Sequence, residues 1–590
     1  MSILIEQVRV FGFRGLQNIH VELGATTVLT GMNNTGKTSF LKAMQIALGS
    51  SQFITQDDFN VKDNNSAPKI IIDIKIVPVD KDGAHCADFD ADWEVLFTED
   101  RIMIDGESNS SLPLRTIVTY DPIAASYKTR QYILPEWPQY EDAKHKLWYE
   151  GSDGKEKTFH FDEVPFYYMD AQRDILEDMK MRSSYFGKMI SKIEYSEEDI
   201  KLIEDQIKEL NEKAVSSSSI LINIKATLKE LDSAMDTKSE GVEITPFTKK
   251  IRDLNKGINI SYSDNKESFP MEYHGMGTRS WSSLLTLKAF INLRDKSAVK
   301  EQTPFFPILA IEEPEAHLHP NAQKKLYNQI DGIKGQKIIS THSPYIASSA
   351  ELCQIRNFYK DNESVGCGAI ATKELLPEDI RKIERQVVNT RGELFFSKVI
   401  VFFEGETEEQ ALPIFAEHFF KVSHIEAGID FVGVGGYGNF LPFLRVAESL
   451  KIPWFIFSDA EVGVKTSVIS QFTDCKSAKQ EVDVIVFLLD GNNFEKQLVD
   501  DGYIDEIRKA IVDLEISKCS TPQHMKAKKK EIAAYDNTRI MSIIEGSKAQ
   551  FGPLIAEAII ESKKALPPKI TALFEKIKAV LESKNANEPS

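Results

Sequence analysis

The alternation of apolar and polar residues predicts strands at the start of the chain. Apolar and polar positions alternate in ILIEQVRVFGF, and TTVLTG is a short apolar run that ends in glycine. Residues 3–30 are therefore expected to form two or three strands, and SFLKAMQIAL, residues 39–48, has the spacing of a helix. Residues 69–78 and 93–98 are also expected to be strands.

The pattern becomes helical between residues 176 and 240. Apolar residues with heptad-like spacing stand among Glu and Lys at Ile200, Ile203, Ile207 and Leu210. This spacing is typical of an amphipathic or coiled-coil helix. The serines at 217–220 are expected to end that helix, and a second helix is expected near 221–235.

The second half of the chain returns to mixed structure. Residues 283–345 have the pattern helix, buried strand, helix, strand, and the mixed, polar residues 351–385 indicate a linker. From residue 397 strands and helices alternate again, which predicts a second α/β unit. Residues 500–590 are expected to be mostly helical.

The composition is that of a large globular protein. The 590 residues are 42% hydrophobic, and this length corresponds to about three to five domains. No apolar run approaches the roughly 18–20 residues of a membrane span, and no secretory signal is expected. The five cysteines lie far apart without a CxxC pair, which favours a reducing cytoplasm over a zinc site.

The net charge of −18 argues against a general basic coat for nucleic acid. Contact with DNA would depend on local lysines instead. KAKKK, residues 526–530, is a compact basic run. It is interpreted either as a phosphate-binding surface or as the solvated face of a helix.

A phosphate-binding loop motif lies between the predicted strand TTVLT and the next helix. GMNNTGKT, residues 31–38, fits GxxxxGK[ST] in the context that this motif requires. Its backbone N–H groups would surround phosphate oxygens, Lys37 would reach the β- and γ-phosphates, and Thr38 would ligate Mg²⁺. The predicted ATP site also includes Gly31, Asn33, Asn34, Gly36 and Ser39.

An apolar strand that ends in two acids, within residues 305–320, has the Walker B pattern. Glu312 would hold the Mg²⁺ shell, and Glu313 would orient or deprotonate the attacking water. Most such sites have Asp as the first acid. His342, at the end of the strand KIIST, is placed to contact the γ-phosphate.

The segment HGMGTRSWSSLL places Gly277 and Ser280 ahead of a predicted helix. A helix N-terminus with free N–H groups binds phosphate, so these residues are predicted to contact a nucleotide held on another subunit. His317 and His319 form an HxH pair, which indicates either a metal site or, as the favoured interpretation, a loop at a dimer seam.

Acidic residues follow two strands of the second α/β unit. Glu404 directly follows the strand SKVIVFF, and Glu408 lies one helical turn later. Asp459 and Glu461 follow IPWFIFS. Carboxylates at the carboxyl ends of neighbouring parallel strands converge in one crevice, where cations must offset their charge. Oxygen ligands suit Mg²⁺, Mn²⁺ or Ca²⁺.

The glycines at 433–438, GxGGxG, allow a second interpretation. They follow a strand, and Asp459 lies about 20 residues later, as in a dinucleotide-binding fingerprint. That interpretation leaves Glu404 and Glu408 without a role. A loop that lines the metal crevice is favoured.

The order of the nucleotide motifs resembles the ABC-type ATPase heads of the SMC and RecF kind. In those heads a helical insertion separates the P-loop from Walker B, and two heads sandwich ATP. FGFRGLQNIHVEL and FYYMDAQRDI, residues 166–175, also resemble segments of such heads. Residues 274–285 depart from their usual LSGGQ signature.

EGETE after one strand and DAE after a later strand resemble a Toprim domain. An ABC-type ATPase followed by Toprim is similar to the OLD (overcoming lysogenization defect) family of ATP-dependent endonucleases, which includes the Gabija nuclease and retron-associated effectors. By position, GNNFEKQL implies that Glu495 is a second-metal ligand, and EGSKAQF implies that Lys548 stabilises charge on the scissile phosphate. A surface helix lysine is the alternative for Lys548. The resemblance implies metal-binding acids at Glu404, Glu408, Asp459 and Glu461.

The resemblance implies an α/β protein in which an ABC-type P-loop ATPase with a helical insertion precedes a Rossmann-like Toprim domain and C-terminal helices. The expected segments are the N-terminal ATPase part, the helical insertion for dimerisation, the C-terminal ATPase part with a linker, and the Toprim region, at 1–175, 176–262, 263–390 and 391–590. The implied function is ATP-regulated, two-metal cleavage of DNA in antiphage defence, by a homodimer or larger assembly.

Two other classes of function remain open at this point. One is a RecF-like DNA-binding ATPase that acts as a repair scaffold with an inert Toprim fold. The other is a subunit that is silent until it meets a helicase or a retron reverse transcriptase with its DNA–RNA. Toprim topoisomerases are also similar, but they need a tyrosine nucleophile domain, for which the sequence offers no candidate.

Overall fold

A computed structural model of the chain describes residues 2–49, 54–60, 69–81, 83–140, 147–149, 153–181, 183–190, 196–228, 246, 260–264, 267–361, 364–372, 375–388 and 392–585. The end of the second predicted insertion helix, residues 229–235, lies outside this range. The chain divides into two compact units. Unit 1 comprises Met1–Met169, Phe306–Glu315 and Pro320–Ser590, and unit 2 comprises Asp170–Phe305 and Ala316–His319.

Strands occur in both halves of the described chain. In order they are β1 (Ser2–Phe13), β2 (Leu16–Glu22), β3 (Thr26–Thr30), β4 (Lys69–Val79), β5 (Met103–Ile104), β6 (Ser110–Asp121), β7 (Ser126–Ile133), β8 (Lys155–Glu156), β9 (Phe166–Met169), β10 (Ser261–Asp264), β11 (Glu267–Pro270), β12 (Ile308–Glu312), β13 (Gln336–Ser340), β14 (Ile355–Asp361), β15 (Ser364–Ala369), β16 (Val399–Phe403), β17 (Ile429–Gly433), β18 (Trp454–Ser458) and β19 (Ile485–Phe487).

The α-helices concentrate in unit 2 and in the last third of the chain. In order they are α1 (Lys37–Leu48), α2 (Ala91–Phe97), α3 (Ile175–Lys180), α4 (Tyr185–Ile190), α5 (Glu197–Ser216), α6 (Ser219–Leu228), α7 (Met276–Glu301), α8 (Pro320–Asp331), α9 (Pro344–Ala347), α10 (Pro377–Ile383), α11 (Glu406–Phe420), α12 (His424–Ala427), α13 (Phe440–Ser449), α14 (Val464–Asp474), α15 (Glu481–Val484), α16 (Phe494–Asp500), α17 (Ile504–Ser517), α18 (Pro522–Ala533), α19 (Asn537–Glu545), α20 (Lys548–Glu561) and α21 (Pro568–Asn585).

Three sheets build unit 1. The first is antiparallel, with the order β2-β1-β4-β6-β7-β8 and β5 beside β6. The second has the order β15-β14-β3-β13-β12-β9 and is parallel except for β15. The third is parallel, with the order β17-β16-β18-β19. The predicted α/β class is therefore confirmed, and both candidate acidic motifs follow buried parallel strands.

Two expectations about local structure were wrong. Residues 93–98 form the end of helix α2, because Trp93 and Phe97, one helical turn apart, are both buried, and Asp90 caps the helix by accepting from the Trp93 N–H at 3.3 Å. The expected linker contains β14, which pairs with β3. The sequence hides this strand because two of its buried residues, Arg356 and Asn357, are polar.

In unit 2, α5 begins after Ser196, whose hydroxyl accepts from the Asp199 N–H at 3.1 Å. Its buried residues are Ile207, Asn211 and Val215, whereas the expected stripe residue Leu210 is 51% exposed. The buried face of this helix therefore repeats every four residues. Among the described helices of the chain, none has the length and apolar content needed to cross a bilayer.

Candidate functional site

The predicted phosphate-binding loop joins the central strand β3 to helix α1. Gly31 and Gly36 have φ values of 119° and 90°, and Asn34 has 58°, so the loop uses the left-handed conformation that glycine adopts without strain. The Lys37 Nζ donates to the carbonyls of Gly31 at 2.7 Å and Met32 at 2.8 Å. These two hydrogen bonds keep the loop folded around the Lys37 ammonium group.

The first Walker B acid faces this loop. Thr38 Oγ1 donates to Glu312 Oε1, and the Tyr168 hydroxyl donates to Glu312 Oε2 at 2.5 Å. Ser39 is half-buried in the first turn of α1, and Asn33 is exposed in the loop. The structure therefore brings Thr38 and Glu312 together, as the predicted Mg²⁺ site requires.

The second Walker B acid lies beside the predicted γ-phosphate contact. Glu313 has a left-handed φ of 40°, and its Oε1 is 3.6 Å from His342 Nε2. Burial and the nearby Lys37 lower the pKa of His342 to about 4, so the imidazole is neutral at pH 7. Burial also lowers the pKa of Lys37 to about 8, although Glu313 and Glu315 oppose that shift.

Glu315 was not predicted from the sequence, yet it connects these residues. Its Oε1 accepts from Thr341 Oγ1 at 2.8 Å and from the His342 N–H at 2.7 Å, and burial raises its pKa. The signal available in the sequence was a third acid, two residues after Glu313. Tyr168 was also missed, although it lies in a segment that resembles other ATPase heads.

Gly277 and Ser280 lie in unit 2, inside helix α7. This helix begins at Met276, earlier than expected, so Gly277 occupies its first turn and Ser280 is 1% exposed in the helix body. Their contact with a nucleotide on another subunit stays a prediction.

The first acids of the second motif stand at adjacent strand ends. Glu404 follows β16, and its Oε1 accepts from the Ser458 hydroxyl at 2.5 Å and from the Asp459 N–H at 3.2 Å. Ser458 is fully buried at the end of β18. Asp459 Oδ1 is buried and has no hydrogen-bond partner in the described structure. One buried oxygen of Asp459 is therefore left without a hydrogen-bond donor.

The remaining acids approach from two helices. Glu408 lies in the first turn of α11 and is 3% exposed, and Glu495 in α16 is 1% exposed. Thr407 Oγ1 donates to Glu495 Oε1 at 2.5 Å, while Lys548 Nζ lies 3.3 Å from Glu495 Oε2. The structure thus brings Glu495 and Lys548 to the crevice, where Lys548 begins helix α20.

Glu461 is the exception among the predicted acids. It lies in the loop after β18 and is exposed. Its charge still acts on Glu404 and Asp459, whose pKa values it raises. It therefore borders the crevice, whereas the other four acids line it.

Crowding and burial perturb the acids strongly. Burial, followed by the charges of Glu408, Glu404, Glu495 and Glu461, raises the pKa of Asp459 to about 9. Burial and Glu495 raise the pKa of Glu408 to about 7, against the effect of Lys548. Burial lowers the pKa of Lys548, but Glu495, Glu408 and Asp459 outweigh that effect and raise it. The crevice therefore holds more acidic groups than the single Lys548 can offset.

This donor set fits a hard divalent cation. It offers carboxylate oxygens alone, including the partnerless Asp459 Oδ1, and such sites suit Mg²⁺, Mn²⁺ or Ca²⁺. No group of three or more His, Cys, Asp or Glu in the described part of the chain already stands close enough to hold a metal ion. The fit therefore lies in the chemistry of the donor oxygens.

Two hydroxyls that position these acids were missed from the sequence. Ser458 and Thr407 each donate to one carboxylate oxygen, of Glu404 and Glu495 respectively, and leave the other oxygen for a second partner. Ser458 directly precedes Asp459, which is the one sequence signal. The contact of Thr407 with Glu495 spans 88 residues and leaves no local pattern.

Replacing Asp459 with asparagine is expected to stabilise the metal-free protein increasingly as pH rises. The folded protein binds the Asp459 proton more tightly than the unfolded chain, because the pKa rises from 3.8 to about 9. The free energy of unfolding of the wild-type protein therefore decreases as the pH rises from about 4 to about 9. Asparagine does not titrate, so the variant does not show this decrease. Calorimetry in EDTA should show a gain in Tm of at least about 2–4 °C at pH 8, corresponding to ~1 kcal/mol.

The matched control for this experiment is Asp490→Asn, at an exposed aspartate of the same region. It should leave the Tm unchanged at each pH. A gain for Asp459→Asn that is equal at pH 5 and pH 8 would contradict the explanation.

Two family profiles match this chain. The AAA ATPase domain profile covers residues 4–347, and the profile of the Toprim domain of overcoming lysogenization defect-like proteins covers residues 395–460. The ATPase profile spans more than half of the chain. The Toprim profile spans Glu404, Glu408 and Asp459.

The chain is also similar to individual proteins. The chain is 23% identical over 491 residues to the OLD nuclease of Thermus scotoductus, covering 78% of this chain and 82% of that protein. It is 23% identical over 311 residues to Endonuclease GajA of Bacillus cereus, covering 44% and 43%. A solved C-terminal region of the Xanthomonas campestris pv. campestris OLD protein covers 32% of this chain and 99% of that structure, with 19% identity and a TM-score of 0.26.

Proposed function

The chain belongs to the AAA ATPase domain family and carries an OLD-like Toprim domain, and from this premise we propose that it is an ATP-regulated, divalent-metal-dependent DNA endonuclease. The observation that carries the proposal is the crevice at the ends of β16 and β18. There, burial first and the charges of the neighbouring acids second raise the pKa of Asp459 to about 9. Such crowding is costly unless cations enter the crevice.

Each residue of the crevice has a role in this proposal. Two divalent cations, if held there, would supply the positive charge that activates water and stabilises a developing negative charge on phosphate. Their proposed ligands are Glu404, Glu408, Asp459, Glu461 and Glu495. Lys548, held near Glu495, is positioned to stabilise negative charge on the scissile phosphate. Ser458 and Thr407 orient two of the ligands through their short hydrogen bonds.

The nucleotide site is proposed to control this crevice. Lys37 and the N–H groups at the start of α1 would hold the phosphates of ATP, and Thr38 with Glu312 would hold its Mg²⁺. Glu313 would orient the attacking water, and the neutral His342 would contact the γ-phosphate. The Lys37→Ala variant tests whether ATP licenses or restrains cleavage.

The assembly and the biological setting are further parts of the proposal. We propose a homodimer or larger assembly, in which Gly277 and Ser280 of one copy contact the nucleotide of another. The proposed setting is antiphage defence in the cytoplasm, alone or with a helicase or a reverse transcriptase and its DNA–RNA. These statements rest on the family resemblance.

Neutralising three lysines of helix α18 is expected to flatten the salt dependence of DNA binding. Lys526, Lys529 and Lys530 are exposed, whereas Lys528 is paired with Glu531 at 2.9 Å. The plot of log K against log[salt] has a negative slope. If the three exposed lysines each neutralise a phosphate, this slope should become less steep by about 2.7 in their triple glutamine variant. Titration of a fluorescent duplex at several salt concentrations measures this slope.

A control with the same change in net charge replaces exposed lysines of unit 2 with glutamine, at Lys201, Lys208 and Lys213. Its slope should equal that of the wild type. An unchanged slope in the α18 variant would remove this helix from the DNA interface.

Cleavage of supercoiled plasmid by the purified full-length chain tests the proposed function. Nicked or linear product should form with Mg²⁺ or Mn²⁺, disappear in EDTA and return when Mn²⁺ is added back. ATP should change its rate. If the wild-type protein never cuts DNA with any metal, nucleotide or partner, the chain is a DNA-binding ATPase scaffold instead.

A further inference from the structure

One buried asparagine connects the base of the phosphate-binding loop to the Toprim domain. Asn357 lies in β14, beside Thr30, the last residue of β3 before the loop. Thr30 Oγ1 donates to Asn357 Oδ1 at 3.2 Å, and Asn357 Nδ2 donates to the Leu450 carbonyl at 2.8 Å. Thr30, Asn357 and Leu450 are all buried.

The orientation of this amide follows from the chemistry of its partners. A backbone carbonyl only accepts hydrogen bonds, so the amide nitrogen of Asn357 must face Leu450. Its oxygen then faces the Thr30 hydroxyl. The Asn357 side chain therefore connects Thr30 to Leu450. If either partner is removed, one end of this buried amide loses its hydrogen bond.

Close backbone contacts flank this bridge on both sides. A Cβ on Gly31 would lie 2.2 Å from the Phe358 carbonyl oxygen, so the first residue of the loop presses against β14. A Cβ on Gly368 would lie 2.8 Å from the backbone of Leu450, so β15 presses against the same turn of the Toprim domain. A movement of Gly31, at the base of the loop, would therefore displace the backbone that contacts Leu450.

A cavity of about 160 Å³ lies beside the bridge. Residues 31–33 line one part of it and residues 451–453 another, with Asn357 among the residues that join them. The phosphate-binding loop and Asn357 therefore border this cavity. The cavity leaves room for small shifts of the loop.

The Toprim end of the bridge leads directly to the acids. Leu450 directly follows helix α13 as its C-cap residue, and β18 begins four residues later at Trp454. This strand ends at Ser458, whose hydroxyl holds Glu404, and is followed by Asp459. A shift of the Leu450 turn would change the position of β18, and with it two of the proposed metal ligands.

We propose that Asn357 is a positioning residue shared by the two sites, which transmits the occupancy of the phosphate-binding loop through Leu450 and β18 to the Toprim acids. This inference rests on the proposed function, in which ATP changes the rate of cleavage. It adds the physical route. Such coupling typically changes an affinity by about 5–150-fold.

Two variants break the bridge at different ends. Asn357→Asp keeps the acceptor for Thr30 but replaces the donor to Leu450, whereas Thr30→Val keeps the shape of its residue but removes the hydroxyl. Thr26→Val is the matched control, because Thr26 begins the same strand, is also buried and donates to Asp331 instead. The basal cleavage rate of each variant without nucleotide is the reference for its own response to nucleotide, and that of Thr26→Val should stay within about twofold of wild type.

The first readout is the ratio of plasmid cleavage rates with and without a non-hydrolysable ATP analogue. The ratio should approach 1 in Asn357→Asp and Thr30→Val and stay at the wild-type value in Thr26→Val. The double variant should behave like either single variant, because both lie on one route. A wild-type ratio in both bridge variants would overturn the inference.

The second readout needs neither cleavage nor a variant. Hydrogen exchange of the backbone amides in residues 450–459 should change by at least about fivefold when the analogue binds the wild-type chain. If the plasmid stays intact while this exchange responds, the link stands and the nuclease proposal fails. If the protein cleaves the plasmid but hydrogen exchange in residues 450–459 does not change when the analogue binds, the route through Asn357 is refuted and the nuclease proposal stands.

Discussion

Replacing Glu408 with glutamine is expected to reduce DNA cleavage by at least about 10³-fold, which corresponds to ~4 kcal/mol of lost transition-state stabilisation. Glu408 is 3% exposed, and burial with the charge of Glu495 raises its pKa to about 7. Glutamine keeps the size of the side chain and removes the charge that a cation needs. The fold should persist because the substitution also removes electrostatic repulsion among the buried acids.

The neighbouring Glu409 supplies the matched control for this prediction. It lies on the same helix turn but is exposed, so Glu409→Gln should cleave at the wild-type rate. Single-turnover cleavage of plasmid with Mn²⁺ measures both variants, and titration calorimetry with Mn²⁺ should show weaker binding only for Glu408→Gln. Equal cleavage by the two variants would remove Glu408 from the proposed metal site.

Replacing Lys37 with alanine is expected to reduce ATP hydrolysis by at least about 10²-fold. The Lys37 ammonium is buried between the carbonyls of Gly31 and Met32, and Glu313 and Glu315 act on it electrostatically. No other lysine in the described P-loop can replace it. Phosphate release from ATP measures the loss, and Lys69→Ala, at an exposed lysine of unit 1, should hydrolyse ATP normally.

The same variant shows the direction of control. If ATP licenses cleavage, Lys37→Ala with ATP should cleave as slowly as the wild type without it. If ATP restrains cleavage, the variant should cleave in ATP as fast as the wild type without it. Cleavage by Lys37→Ala that still responds to ATP like the wild type would contradict control through this loop.

The sequence predicted the positions that local patterns define. Glu404 and Asp459 follow apolar runs that become buried parallel strands, and such strand ends meet at one edge of a sheet. Glu408 follows from Glu404 by one helical turn. These inferences needed only periodicity and spacing, so the crevice could be located before the structure was known.

The residues that complete the crevice could not be derived in this way. Glu495 and Lys548, which lie 53 residues apart in sequence, reach it from two different helices. Only the family resemblance indicated them. The hydroxyls of Ser458 and Thr407 carry no periodic signal at all. Their roles depend on how α11, α16 and β18 pack, which is a property of the tertiary structure.

The missed strand β14 has a related cause. Asn357 is buried because it forms hydrogen bonds at both ends of its amide, whereas a hydropathy pattern counts it as a surface residue. Polar residues that bridge buried elements therefore conceal strands, and here the concealed strand is the one that joins the nucleotide site to the Toprim domain.

The most direct test of the central claim measures plasmid cleavage and ATP hydrolysis in one preparation of the Glu404→Ala variant. Cleavage with Mn²⁺ should fall by at least about 10³-fold, while hydrolysis stays within about twofold of the wild type, because Glu404 belongs to the Toprim crevice and not to the nucleotide site. Cleavage by Glu404→Ala at the wild-type rate would contradict the assignment of the nuclease to this crevice.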